Sequence, residues 1–227
     1  MTYLRSLIAA LLLALAACTT APTPSAAPHP KAAAQLAVLA SNAGMHEKAR
    51  ACQELGNYGG PESVPALATL LDHEHLADYA RSGLEGIRDA SAGQALRDAL
   101  ATLKGRNLAG AVNSLGVRRD VAAVPALQKL TLDAKRGVAP EAVASLGMIG
   151  TPEAARTLQE VLANGPADLR VPAAHAALTA APQLAQDGHA AAARGLLESV
   201  VRAVPSGHLA TAAQSQAAAL RGGAAAR

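Results

Sequence analysis

Two His-Glu pairs carry the side chains best suited to chemistry. His46-Glu47 and His73-Glu74 stand 27 residues apart, and His75 follows the second pair. Imidazole beside carboxylate is a donor set that suits iron or zinc. The second pair falls in a predicted turn, LDHEHLAD, and the first opens a predicted amphipathic helix, MHEK. Both sites also have an ordinary reading, as solvated polar residues. His46-Glu47 does not open a zinc-protease helix, because Arg50 stands where that pattern needs its second histidine. Cys52 lies on the same predicted helix, with Lys48 and Arg50 close enough to favour a thiolate. A lone cysteine among helical repeats is otherwise a small buried apolar group. Arg118-Arg119-Asp120 sits between two predicted helices. Its arginines are placed either to meet an acidic partner or to lie in a solvated turn, and Asp120 to cap the next helix.

Other catalytic arrangements are missing from the sequence. It holds no GxSxG elbow, no GxGxxG or P-loop glycine pattern, and no CxxCH haem site. His29, His175, His189 and His208 are scattered, without partners at ligand spacing. No catalytic residue, cofactor or small-molecule substrate is therefore assigned. The four low-ranking metal candidates are His46, Glu47, His73 and Glu74. Lys+Arg number 20 against 17 Asp+Glu, a formal charge of +3. The basic residues never cluster beyond the pairs Arg118-Arg119 and Lys135-Arg136, which argues against a phosphate-backbone track and hence against nucleic acid. Phe and Trp are absent and Tyr numbers three, which argues against base or sugar stacking.

The elements that must position these residues follow a period. Leu55, Leu84, Leu115, Leu146 and Leu178 recur at steps of 29, 31, 31 and 32 residues. Twelve residues beyond the first four lie Leu67, Leu96, Leu127 and Leu158. A fixed period near 30 marks stacked supersecondary units. Each unit reads as a helical hairpin. In the first, a helix over 45–55 ends at Leu55-Gly56, Gly59-Gly60-Pro61 turns, and a second helix covers 62–71. Asn42 is expected to cap the first of these helices. Pro65 and Pro125 fall in matching VPAL segments near a helix start, where a missing N–H is tolerated. Thr151 caps the fourth unit's second helix, with Pro152 next to it. The second unit carries Glu85 where its neighbours carry glycine, and the fifth is degenerate, with its second helix over 190–202. A leading helix over 31–40 and a final helix over 209–220 flank the array.

ARACQELG…GGPESVPALATLL resembles a HEAT repeat of the short bacterial type first described in phycobilisome-lyase-like proteins. NSLGVRRDVAAVPALQKL (113–130) and ASLGMIGTPEAARTLQEVL (144–162) repeat its grammar. The resemblance covers roughly residues 44–202. It implies an all-α fold, a right-handed α-solenoid of about five HEAT-like hairpins, with a concave face made by the second helices. Such a face commonly grips another protein. From their position on second helices, Arg97, Lys129 and Arg156 are the candidate rim charges. The HEAT-repeat enzyme deoxyhypusine hydroxylase holds a di-iron centre with His-Glu pairs. This sequence resembles that pattern only at His46-Glu47 and His73-Glu74, two of the four pairs required. A metal-dependent or lyase-type enzyme is thus the alternative to a binding scaffold.

The first thirty residues read as an address. Arg5 precedes an apolar run, Leu7 to Ala16, too short for a bilayer span but of signal-peptide length. Leu15-Ala16-Ala17-Cys18 resembles the lipobox of bacterial lipoproteins. That resemblance implies cleavage before Cys18, diacylglycerol on its sulfur and an acyl chain such as palmitate on its amine, a stable membrane anchor. Thr19 in place of aspartate favours the outer membrane, facing the periplasm. The expected organisation is a signal peptide over 1–17, a lipidated Cys18 and Pro/Ala/Thr-rich tether over 18–30, and a repeat domain over 31–227. The expected function is a membrane-anchored scaffold in the cell envelope that binds a protein partner.

Overall fold

The computed structural model of the chain describes residues 29–225. The expected signal peptide, Cys18 and the expected tether up to residue 28 lie outside that range. The described residues form twelve α-helices and no strand. These are α1 (Pro30–Ala40), α2 (Met45–Tyr58), α3 (Val64–Ala68), α4 (Ala77–Gly86), α5 (Ala90–Ala99) and α6 (Gly105–Val117). They continue as α7 (Val124–Leu132), α8 (Ala139–Ile149), α9 (Pro152–Asn164), α10 (Arg170–Gln186), α11 (Ala190–Ala203) and α12 (His208–Ala225).

The chain is an all-α solenoid. Five hairpins, α2/α3 to α10/α11, stack in sequence. The first helices α2, α4, α6, α8 and α10 pack each on the next to form one layer. The second helices form the other, and each also packs against the first helix of the following unit. A hairpin with one apolar stripe cannot bury it alone, and stacking joins the stripes into a continuous core. Half-units close both ends: α1 packs on α2, and α12 packs on α10 and α11.

The periodic leucines are the core. Leu55, Leu84, Leu115 and Leu146 have no exposed surface, nor do Leu67, Leu96, Leu127 and Leu158. The fifth marker is a correction. Leu178 is only half-buried, while Ala177 is fully buried in the place that continues the series. The residue after each marker sets how near the next first helix can come. A Cβ on Gly147 would lie 2.7 Å from the Ala176 carbonyl oxygen, and one on Gly116 would lie 2.9 Å from Ser145 Cα. At Glu85 the side chain stands in this position and accepts a hydrogen bond from Ser114 Oγ at 2.6 Å. There α4 and α6 pack less closely than the first helices on either side.

Local details depart from expectation in two places. Asn42 does not cap α2: Gly44 holds that position, and its N–H donates to Glu47 Oε2 at 2.8 Å. The second helix of the first unit is short. Pro61–Ser63 is a 3-10 turn, and α3 ends at Ala68. Beyond it the chain tightens, with Leu70 N–H on the Leu67 carbonyl and Leu71 N–H on that of Ala68. Pro65, Pro125 and Pro152 all lie in first turns, and Thr151 Oγ1 accepts from Ala154 N–H at 3.3 Å.

Candidate binding face on the second helices

Two of the four proposed metal ligands, Glu47 and His73, have structural work. His73 Nδ1 accepts from the N–H groups of His75 (3.1 Å) and Leu76 (3.3 Å), and so shapes the turn that enters α4. Glu74 is exposed and lies 3.8 Å from the His75 ring. His46 is exposed, and Glu47 serves the start of α2. Among the described residues, no three His, Cys, Asp or Glu side chains converge as a metal site. Cys52 is fully buried, and burial pushes its thiol up to about 11. Lys48 and Arg50 therefore do not make it a thiolate at neutral pH.

The inter-helix arginines of the third unit, Arg118 half-buried and Arg119 exposed, both bond to backbone carbonyls of neighbouring units. Arg118 reaches back to the end of α4, donating to the carbonyls of Leu84, Glu85, Ile87 and, at 3.0 Å, Asp89. The first three lie at the C-terminal end of α4, where carbonyls lack intrahelical partners and a cation is also favoured by the dipole. Arg119, in the left-handed region at φ 52°, reaches forward to the Ile149 carbonyl at 3.3 Å, at the end of α8. The pair thus ties the third unit to the second and the fourth. Arg136 does similar work on the carbonyl of Leu103 at 3.1 Å. No local sequence signal marks these bonds, because donor and acceptor lie about a repeat apart.

Of the three expected rim charges, Arg97 is taken up inside the fold. Its guanidinium pairs with Asp120 and holds Gln94 Oε1 at 2.6 Å. Asp120 accordingly makes no side-chain cap on the following turn. Lys129 is exposed. Arg156 is exposed and pairs with Glu153 at 3.2 Å.

Arg156 lines a groove between α7 and α9. One basin, of about 310 Å³, has apolar walls at Val121, Val124 and Pro125, with Glu153 and Arg156 opposite. A second, of about 260 Å³, continues past Leu132 to Val161 and Asn164. Gln128 and Glu160 belong to both basins and bond to each other across the groove at 3.1 Å. Val121 and Leu132, near opposite ends, are 54% and 72% exposed. Sequence reasoning missed this groove. Its only trace was two aliphatic residues, Val121 and Leu132, off the buried positions of the repeat.

The family described as HEAT repeats matches residues 93–179, from within α5 into α10. That stretch is similar to HEAT repeats. It holds the third and fourth hairpins whole, and with them the α7/α9 groove. The HEAT-like pattern of buried leucines extends to α2, beyond the matched residues. No curated protein matches the chain.

Proposed function

We propose that the chain is a scaffold that holds a protein partner on its second-helix face, with the α7/α9 groove as the centre of contact. HEAT-like helical stacks of this kind suit protein interaction, and the observation that carries the reading is the groove itself. Exposed aliphatic side chains at Val121 and Leu132 flank a recess with one apolar wall and one lined by Glu153, Arg156 and Glu160, and the buried pattern of the repeat gives them no packing role. Lys129 and Arg156 are the rim charges available beside it. Glu47 and His73 are occupied by helix-start and turn contacts and the two His-Glu pairs do not converge among the described residues, so the enzyme reading gains no support from geometry.

The sequence of residues 1–18 supports a lipid on Cys18, with the scaffold tethered to the outer membrane and facing the periplasm. The short bacterial form of the repeat, as in phycobilisome-lyase-like proteins, fits the same reading.

The test is crosslinking of the full chain in native membranes, followed by capture and mass spectrometry. A single partner at comparable abundance is expected. It should be lost with Val121→Glu and Leu132→Glu, and kept with a surface control such as Arg88→Glu. Equal capture by the groove variants and the parent would remove the groove from the reading. Radiolabelled palmitate on the parent but not on Cys18→Ala is the expected result for the anchor.

A further inference from the structure

On the other side of α9 lies a second recess, of about 340 Å³, between α9 and α11. Its floor is Leu162, Ala163 and Ala203, and its polar groups are Arg170, Ser199 and Arg202. Arg170 enters from the start of α10 and Arg202 from the last turn of α11. Arg202 is steadied by a neutral group: it donates to Ser199 Oγ at 2.7 Å, and Ser199 Oγ donates to the Gly195 carbonyl at 2.9 Å.

Neither arginine has a carboxylate within 4.0 Å among the described residues. Asp168 and Glu198 are two and four residues away in sequence, and neither reaches. Arg50, Arg88 and Arg194 are also unpaired among the described residues, but none of them lines this recess, and other arginines of the solenoid are engaged. Arg81, Arg97, Arg106 and Arg156 are all paired with acids, and Arg118, Arg119 and Arg136 hold helix-end carbonyls. Both recess arginines, Arg170 and Arg202, are exposed, and two like charges that line one recess favour an anion there. Planar N–H forks match carboxylate geometry.

We infer that this recess is an acid-recognition pocket, which takes a glutamate or aspartate side chain from an apolar-acidic peptide segment of the partner. The inference rests on the reading of the second-helix face as a protein-binding surface. It adds the kind of segment that surface selects. A peptide fits better than a free phosphate because the floor is apolar. The recess and the α7/α9 groove lie on either side of α9, lined by its residues Leu162 and Val161 respectively. A peptide can place its carboxylate on the arginines and its aliphatic side chains on Ala163 and Ala203. A phosphate would leave that surface unused.

The experiment is fluorescence anisotropy with the full chain and three labelled, end-blocked octapeptides: alternating Leu-Glu, Leu-Gln and Leu-Lys. Arg170→Gln with Arg202→Gln is the test variant, and its thermal unfolding is compared with the parent to confirm the fold. Arg194→Gln is the control. The Leu-Glu peptide is expected to bind about tenfold more tightly than Leu-Gln, with Leu-Lys weakest. The double variant should lose that preference and the control should keep it. Equal binding of the Glu and Gln peptides, or a preference that survives in a folded double variant, would overturn the inference. Binding of inorganic phosphate without the Leu-Glu peptide would also overturn it, in favour of a small-anion site. The peptide assay does not depend on partner capture. Failure here with capture intact removes the pocket alone, whereas equal capture by the groove variants and the parent, with peptide preference intact, removes the groove.

Discussion

Arg97 and Asp120 meet across the step of the solenoid at which α5 and α7 scarcely touch. Both side chains are largely buried, at 20% and 10% exposure, and Gly93 leaves the space in which the Asp120 carboxylate lies. Where α3 packs on α5, and α9 on both α7 and α11, side-chain packing joins the second helices directly. Here an ion pair does so. Removal of either partner leaves a poorly solvated charge, so Arg97→Met or Asp120→Asn should each destabilise by about 2 kcal/mol. The double variant should cost less than the sum, with a coupling of about 1–2 kcal/mol in urea unfolding. Strict additivity would mean that the pair does not hold this step.

The glycine after the marker leucine Leu146 supports a paired prediction. Gly147→Ala would set a methyl 2.7–2.8 Å from backbone and Cβ atoms of Ala176 on α10. Backbone cannot move aside as a flexible side chain can, so a loss of about 1–3 kcal/mol is expected despite alanine's better helix propensity. Gly195→Ala on α11 meets only the end of the Gln159 side chain, at 3.3 Å, and should stabilise by up to about 1 kcal/mol. Thermal melts of both variants decide it. Equal effects would show that the close approach of α8 and α10 carries no constraint.

The sequence and structure agree where the signal was periodic and apolar. Leu55 to Leu146 and Leu67 to Leu158 could be read because a leucine buried in every repeat recurs at the repeat length. The fifth unit lost its register because Ala177 replaces the leucine and Leu178, half-buried beside it, offered the stronger apolar signal. The cap of α2 was misread for a similar reason: Asn42 has the favoured side chain, while Gly44 is capped by Glu47 reaching back. The jobs of Arg97, Asp120, Arg118 and Arg119 were beyond reach of local reading, since each partner lies 23 to 34 residues away. The groove was hidden differently. It is a surface left over by packing, and Leu132 announces it only by being exposed.

Arg118 supports a prediction about the end of α4. Its guanidinium serves several carbonyls at once, which a lysine ammonium on a flexible stem cannot copy. Arg118→Ala should cost about 2–3 kcal/mol, as charged hydrogen bonds to partly buried carbonyls are lost. Arg118→Lys should recover less than half of it. Amide exchange resolves the cause. Protection should fall first at the α4 C-terminus and the turn through Asp89, with α10 and α11 unchanged. A uniform loss along the chain would mean that Arg118 acts on the whole stack.

Asp78 tests the electrostatics of the first-helix layer. Its carboxyl is held below the usual value chiefly by the hydrogen bond from Arg81, with Arg106 adding attraction from the next unit. A depressed carboxyl stabilises the fold above its unfolded pKa, about 3.9, and that contribution fades as pH falls through the lower folded value. An NMR titration of the Asp78 carboxyl should show the shift. Arg81→Met should reverse more of it than Arg106→Met, because Arg81 supplies the leading cause. The opposite order would mean that the contact between units dominates.

Cys52 links burial to alkaline stability. Unfolded, its thiol ionises near 8.5, whereas in the fold burial raises it to about 11. Below both values the two states hold the proton alike, and the thiol contributes no pH dependence. Between them the unfolded chain releases the proton and the folded chain retains it. Stability is therefore lost as pH rises, by up to about 1.4 kcal/mol per pH unit. Lysines and tyrosines titrate in the same window, so the comparison must be with Cys52→Ala, which keeps them all. Parent and variant stability curves from about pH 8 to about pH 10.5 should converge, with the parent falling more steeply. A charged thiol reagent at pH 8 should label the parent only as fast as the solenoid opens, and at full speed in denaturant. Parallel stability curves, or rapid labelling of the folded protein, would show that the space between α2 and α4 is not closed.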